Sequence, residues 1–182
     1  MLQRAKIGEN GDMAEIDEPV HLSPHDPKWS VYFAAEAERL TAALPAQADV
    51  EHIGSTSVSG LLAKPIIDIM VGIEPGDVDK VRRHLRSLGY DDLGEAGVPG
   101  RRYFRRRAEH AFNVHVVRRD GPIWRTNIAL REYLRQDADA ARTYAEAKRS
   151  AVVNGATMLL AYSEYKREVI SRLITTALAR GL

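Results

Sequence analysis

The chain has 182 residues, of which 45% are apolar, enough to bury a sizeable core in one domain and too many for a disordered tail or a miniprotein. It contains no cysteine, which excludes disulfide frameworks, thiolate metal sites and cysteine nucleophiles. The net charge of +1 hides a segregation: positions 1–100 hold 9 basic and 17 acidic residues, and positions 101–182 hold 17 and 8.

Residues 1–18 mix charge and glycine without periodicity and are expected to form a mobile extension, leaving 19–182 as a single domain. No run approaches the ~18 consecutive apolar residues of a membrane span, and no basic-then-apolar leader opens the sequence, so a cytoplasmic protein with no membrane role is expected.

After Ser23-Pro24-His25-Asp26-Pro27, Trp29, Phe33, Ala37, Leu40 and Leu44 recur at helical spacing. Asp26 is placed to cap that helix, and Pro45 to close it. Asp49 to Ile53 reads as a short strand, and the hydroxyl-rich stretch after it as a turn with a short helix. Pro65 to Gly72 is an almost continuous apolar run, the pattern of a strand covered on both faces, with Asp68 as its single carboxylate. Asp77 is placed to cap a helix carrying Val78, Val81, Leu85 and Leu88, with Gly89 as its left-handed stop.

Tyr90 to Glu95, Arg101 to Arg107 and Ala111 to Arg118 read as three further strands. From Ile123 the period returns to helical, with Trp124, Ile128 and Leu134 on one face, then a helix capped by Asp137, then a terminal helix from about Leu159 to near Gly181. The order implies an α+β fold, with strands in the middle and helices in the last third.

The chemistry concentrates between Glu51 and Asp68. A strand that ends in Gly54-Ser55 and opens a turn can direct backbone N–H groups at a phosphate, with Ser55, Thr56 and Ser57 as further donors. A plain hydroxyl-rich helix cap is the competing reading. The glycine and lysine spacing is not that of a P-loop, and no serine has the flanking glycines of a nucleophile elbow. Asp68 is costly to bury unless a cation or donors offset it, which suggests a metal ligand or general base, or else an ion pair with Lys64 or an arginine.

Glu51-His-Ile-Gly-Ser-Thr-Ser-Val-x-Gly-Leu-x-x-Lys-Pro-Ile-Ile-Asp-Ile resembles the GrpB family, as do the upstream Leu22-Ser-Pro-His-Asp-Pro-x-Trp29, the later Asn113-Val-His-Val-Val, Arg131-Glu-Tyr-Leu-Arg and the Tyr-x-x-x-Lys segments. The resemblance covers residues 19 to about 178 and implies a nucleotidyltransferase-like mixed sheet with Asp68 beside a nucleotide-sized cleft. Nucleotidyltransferases of that kind hold Mg²⁺ on several carboxylates, whereas the same-face neighbours of Asp68 are Ile66 and Met70, and Ser59 replaces the usual proline. His115, with Asn113 on its face, stands where a later carboxylate is expected, so Asp68 and His115 are the candidate catalytic pair and the candidate ligands of one Mg²⁺ or other divalent ion.

His52 is read as structural, Glu51 as a partner for an arginine, and Lys64 as able to reach a phosphate. Positions 101–119 carry seven arginines against Glu109, a positive potential suited to an anion; Arg102 and Arg131 are the chosen phosphate contacts. Lys148 and Lys166 are assigned to solvated helix faces.

Three functions compete. The first is metal-dependent nucleotidyl or phosphoryl transfer from a bound nucleotide. The second is a non-catalytic module for a nucleotide or other phosphorylated small molecule, with an accessory role such as in coenzyme A metabolism, since relatives are appended to a dephospho-coenzyme A kinase. The third and least favoured is RNA binding through Arg101 to Arg107, because the acidic first half weakens a nucleic-acid footprint and only Tyr103 and Phe104 interleave the arginines.

Overall fold

The computed structural model describes residues 16–182. Of the extension expected over residues 1–18, the first fifteen lie outside the described residues, while Ile16, Asp17 and Glu18 belong to the packed domain. Ile16 is buried against Leu93 and Tyr103, and Glu18 binds Arg107. Among the described residues no helix is long and apolar enough to cross a membrane.

Helix α1 (Lys28–Ala43) starts where Asp26 Oδ1 accepts the Lys28 N–H at 2.9 Å and ends before Pro45. Strand β1 (Asp49–Ile53), a single 3₁₀ turn at Ser55–Ser57 and strand β2 (Ile66–Ile73) follow, then a second 3₁₀ turn at Pro75–Asp77 and helix α2 (Val78–Ser87). Asp77 does not cap α2 with its side chain; its Oδ2 instead accepts from Gln47 Nε2 at 2.8 Å.

Gly89, with a φ of 85°, ends the helix as its left-handed residue, and the strand expected from Tyr90 to Glu95 shortens to β3 (Asp91–Asp92). Positive φ at Gly94, Ala96 and Gly97 turns the chain out of the sheet there. Strands β4 (Arg101–Arg107) and β5 (Ala111–Arg118) have the bounds read from the sequence. Helices α3 (Pro122–Gln136), α4 (Ala138–Val153) and α5 (Leu159–Ala179) complete the α+β fold, and Asp137 caps α4 by accepting from Asp139 N and Ala140 N.

The strands form one five-stranded sheet in the order β1-β2-β5-β4-β3, in which only β2 and β5 run parallel. Register then assigns every side chain to a face. Ile67, Ile69, Val71 and Ile73 of β2, with Phe104, Phe112, Val114 and Val116, pack under Trp29, Leu40 and Leu44 and under Val81 and Leu85. Each such fully buried aliphatic or aromatic side chain contributes about 1.5–3 kcal/mol relative to exposure.

The other face meets α3: Met70 and Val117 pack against Trp124 and Ile128. Gly72 allows this approach, since a Cβ there would lie 2.5 Å from the Trp124 ring. Helices α3, α4 and α5 share a second core around Tyr133, Leu134, Tyr144 and Leu173. Beyond Met70 this face becomes polar and lines an open cleft.

Candidate functional site

The register pairs Asp68 with Asn113, Met70 with His115, and His115 with Tyr103. Asp68, Asn113, His115, Tyr103 and Arg101 therefore form the floor of one cleft of about 530 Å³. Gly54, Ser55, Thr56 and Lys64 form one wall, Ala96 to Val98 another, and Tyr144, Lys148, Tyr162 and Lys166 of α4 and α5 the third. Gly54 is required twice over. Its φ is 69°, and an added Cβ would stand 2.8 Å from Asp68 Oδ2.

Asp68 is half-buried, with its Oδ1 accepting from Asn113 Nδ2 at 2.7 Å and approached by His115 Nε2 at 3.5 Å. Burial alone would push its carboxyl up, but His115, Lys64 and Asn113 outweigh it and hold the pKa down at about 2. The carboxylate is ionised throughout the neutral range.

His115 Nδ1 lies 3.4 Å from Arg101 NH1. Arg101 can only donate and Asp68 can only accept, so the neutral Nε2–H tautomer satisfies both neighbours. Burial lowers the His115 pKa despite the pull of Asp68, in keeping with that neutral ring. Both ring nitrogens are thus engaged, and His115 holds Asp68 in place rather than standing free as a base.

The polar chain continues outward: Asn113 Oδ1 accepts from Arg107 at 3.0 Å, and Arg107 binds Glu18 at 2.8 Å. Oδ2 of Asp68 carries no hydrogen bond among the described residues.

The sequence-selected residues divide. Asp68, His115, Gly54, Ser55, Thr56 and Lys64 come together in the cleft. Ser55 turns its hydroxyl toward Tyr144 Oη at 3.4 Å. Thr56 instead meets His52 Nε2 at 3.0 Å, with the imidazole stacked on Phe33 and held down at a pKa of about 4 by burial. Ser57 does not line the cleft; its hydroxyl closes the turn on Gly54 O at 2.6 Å.

Arg102 lies on the far face of the sheet, clamped to Asp92 at 2.9 Å alongside Arg82 and Arg86. Arg131 points beneath β1 to Glu51 at 2.6 Å and His52 O at 3.0 Å, away from the cleft. Lys64 is half-buried, its pKa lowered by burial against the pull of Asp68 and Glu18. It makes no ion pair with Asp68 among the described residues.

The sequence reading missed two residues. Lys148 and Lys166, assigned there to solvated faces, are only 1% and 9% exposed and line the cleft. Lys148 Nζ donates to Leu62 O and lies 5.1 Å from the Tyr144 ring centroid; Lys166 Nζ lies 3.9 Å from that of Tyr162. Neither ammonium has a carboxylate partner among the described residues. The signal was the i,i+4 spacing, which places each lysine on the same helix face as a tyrosine that is itself buried.

The donor set is a poor one for Mg²⁺. Among the described residues no group of three His, Asp or Glu side chains could hold a metal. The Asp68–His115 pair stands beside Lys64 and Arg101, whose charge opposes a divalent cation and suits an anion, and the amines of Lys148 and Lys166 line the same cavity. The site residues therefore do not fit the metal expected from the sequence, and no chemical step is assigned to one.

The comparisons agree with the sequence likeness. The family model described as GrpB protein matches residues 19–176. A UPF0157 protein of Pseudomonas aeruginosa is 37% identical over 175 residues, 90% of this chain and 69% of that protein. The crystal structure of conserved protein GrpB from Enterococcus faecalis has a TM-score of 0.79 at 33% identity, covering 88% of this chain and 98% of that one. A dephospho-CoA kinase of Mycobacterium bovis is 42% identical over 80 residues, 41% of this chain and 20% of the kinase.

Proposed function

The chain belongs to the GrpB family, and within that family we propose that its cleft binds a phosphorylated small molecule of nucleotide size, with Lys64, Lys148 and Lys166 taking the phosphates. The observation that carries this reading is the pair of buried lysines without a carboxylate partner, opening on the same cavity as a third lysine and Arg101. Cations buried without counter-ions are unfavourable unless a ligand supplies the negative charge. Ser55 adds a donor beside them, and the volume of about 530 Å³ lies within the range of small-molecule sites.

The polar end of the ligand follows from Asp68. An ionised carboxylate with Oδ2 uncommitted accepts a hydroxyl or amine, so a ribose-bearing nucleotide or a coenzyme A precursor offers a partner to Asp68 as well as to the lysines. The partial likeness to a dephospho-CoA kinase adds support for the latter. RNA is disfavoured: from Arg101 to Arg107 the guanidinium groups engage Glu95 O, Asp92, Ile16 O, Glu36 and Glu18 within the fold.

Titration calorimetry with pyrophosphate, a nucleoside diphosphate and dephospho-coenzyme A, with and without Mg²⁺, tests the reading. Binding is expected for at least one of them, weakened about tenfold or more in Lys148→Met and Lys166→Met, the loss of one charge-assisted hydrogen bond. Absence of binding to all three at near-neutral pH would overturn it.

Nucleotidyl or phosphoryl transfer is a second reading, favoured by the position of Asp68 beside the lysines, where Oδ2 could accept the proton of an attacking hydroxyl. Turnover of a nucleoside triphosphate that disappears in Asp68→Asn while binding persists would support it. Binding without turnover would leave the non-catalytic module.

A further inference from the structure

We propose that Lys148 and Lys166 form a two-amine receptor for a diphosphate-like dianion, and that the receptor fills only together with protons. Occupancy of the cleft is then tied to pH. The proposal deepens the ligand reading given above and rests on it.

Helices α4 and α5 pack side by side, and each carries a buried tyrosine followed one turn later by a lysine directed at the same cavity. The groups facing the two amines come from every neighbouring element. Lys64 and Asp68 face them from the loop before β2 and from β2 itself, and Arg149 adds charge from α4. The hydroxyls of Tyr144 and Tyr162 are neutral, and on the rim Glu164 and Arg167 pair with each other. Farther along the floor, His115 and Arg101 close on Asp68. Asn113 and His115 hold Oδ1 of Asp68, and among the described residues its carboxylate makes no ion pair with either lysine.

Both amines lie near one ring, Lys148 Nζ 5.1 Å and Lys166 Nζ 6.0 Å from the Tyr144 centroid, and with a carbonyl and two aromatic faces as their contacts they cannot both stay charged cheaply in an empty cleft. Burial, followed by repulsion from Lys166, brings Lys148 down to about 6; burial, followed by repulsion from Lys64, brings Lys166 down to about 7. A dianion between them reverses the balance: each negative oxygen stabilises one ammonium, and protons enter with the ligand. A monoanion satisfies one amine and leaves the other exposed to its neighbour.

The probe is methanedisulfonate, which carries two negative charges throughout the neutral range and so brings no titration of its own. Calorimetry in buffers of different ionisation enthalpy should show net proton uptake on binding near pH 7.5. Affinity should fall by about tenfold per pH unit for each proton taken up. Lys148→Met should remove most of the uptake.

In the wild-type protein, selectively ¹³C-labelled at lysine, two ε-carbon signals should titrate near neutrality in the free state and move to alkaline pH with the disulfonate. This measurement needs no variant to fold. Binding with neither proton uptake nor pH dependence, or all lysine signals titrating at ordinary alkaline values in the free protein, would overturn the proposal. Failure of the disulfonate while pyrophosphate binds would also overturn it, leaving the ligand reading intact. Failure of both near pH 6 would overturn the two together.

Discussion

The two faces of the sheet treat charge in opposite ways. On the face under α1 and α2, each buried carboxylate is saturated by partners: Glu36 binds Arg39, Arg106 and Tyr90, and Asp92 binds Arg82, Arg86 and Arg102. On the face under α4 and α5, cations outnumber carboxylates, and Lys64, Arg101, Lys148 and Lys166 have no acidic ion-pair partner among the described residues. Closed networks serve the fold, whereas an unbalanced cluster opening on a cavity is a request for something from outside. The contrast separates structural from functional charge in a chain whose net charge is only +1.

The largest test of this contrast falls on the closed side. Glu36→Ala leaves Arg106 and Tyr90 without their buried acceptor and should cost about 3–5 kcal/mol of stability in urea unfolding. Next is Gly54→Ala, which adds a left-handed penalty and a clash with Asp68; about 2–3 kcal/mol is expected, together with loss of ligand binding in calorimetry.

On the open side the sign reverses. Lys166→Met should stabilise the ligand-free protein by about 1–2 kcal/mol while weakening ligand binding, because it removes an unbalanced buried cation. The pH dependence carries the same signature. Folded values of about 6 and 7 against an ordinary lysine value of 10.5 mean that the unfolded chain holds more protons between these limits. Stability therefore rises with pH across that window, and the penalty is complete below it. Denaturation at about pH 6 and pH 9 should show the rise in wild type and a smaller one in the Lys148→Met, Lys166→Met double variant. The smallest effect is Arg102→Met: Asp92 retains Arg82 and Arg86, so a cost of about 1 kcal/mol and an unchanged ligand affinity are expected.

Local patterns made much of the fold legible. Strands β4 and β5, the Asp137 cap and the Gly89 stop follow from alternation and end signals. Asn113 and His115 share a face because the alternation of β5 is visible in its own segment, and Asp68 stands out as the single carboxylate of β2. Parity between strands was not legible. Whether Arg101 or its neighbour Arg102 faces the cleft depends on the pairing of Tyr103 with His115, a tertiary register that β4 does not encode by itself.

Arg131 escaped for a similar reason, since Glu51, recognised as needing an arginine, claims it. Lys148 and Lys166 were misplaced because lysine is almost always exposed, and only the third dimension shows α4 and α5 closing over them.

The segment from Ile16 to Val20 has a mechanical consequence. It joins the sheet to α5: Glu18 grips Arg107 on β4, Asp17 Oδ1 accepts the Leu160 N–H at the start of α5, and Val20 N bonds to Thr157 O just before that helix. The segment acts as a clasp that sets the gap between the sheet and α5. Any motion that widens the entrance must break these bonds, and through Arg107 and Asn113 the same motion pulls on Asp68. Aperture and carboxylate are thus geared together by five residues that precede the first helix of the domain.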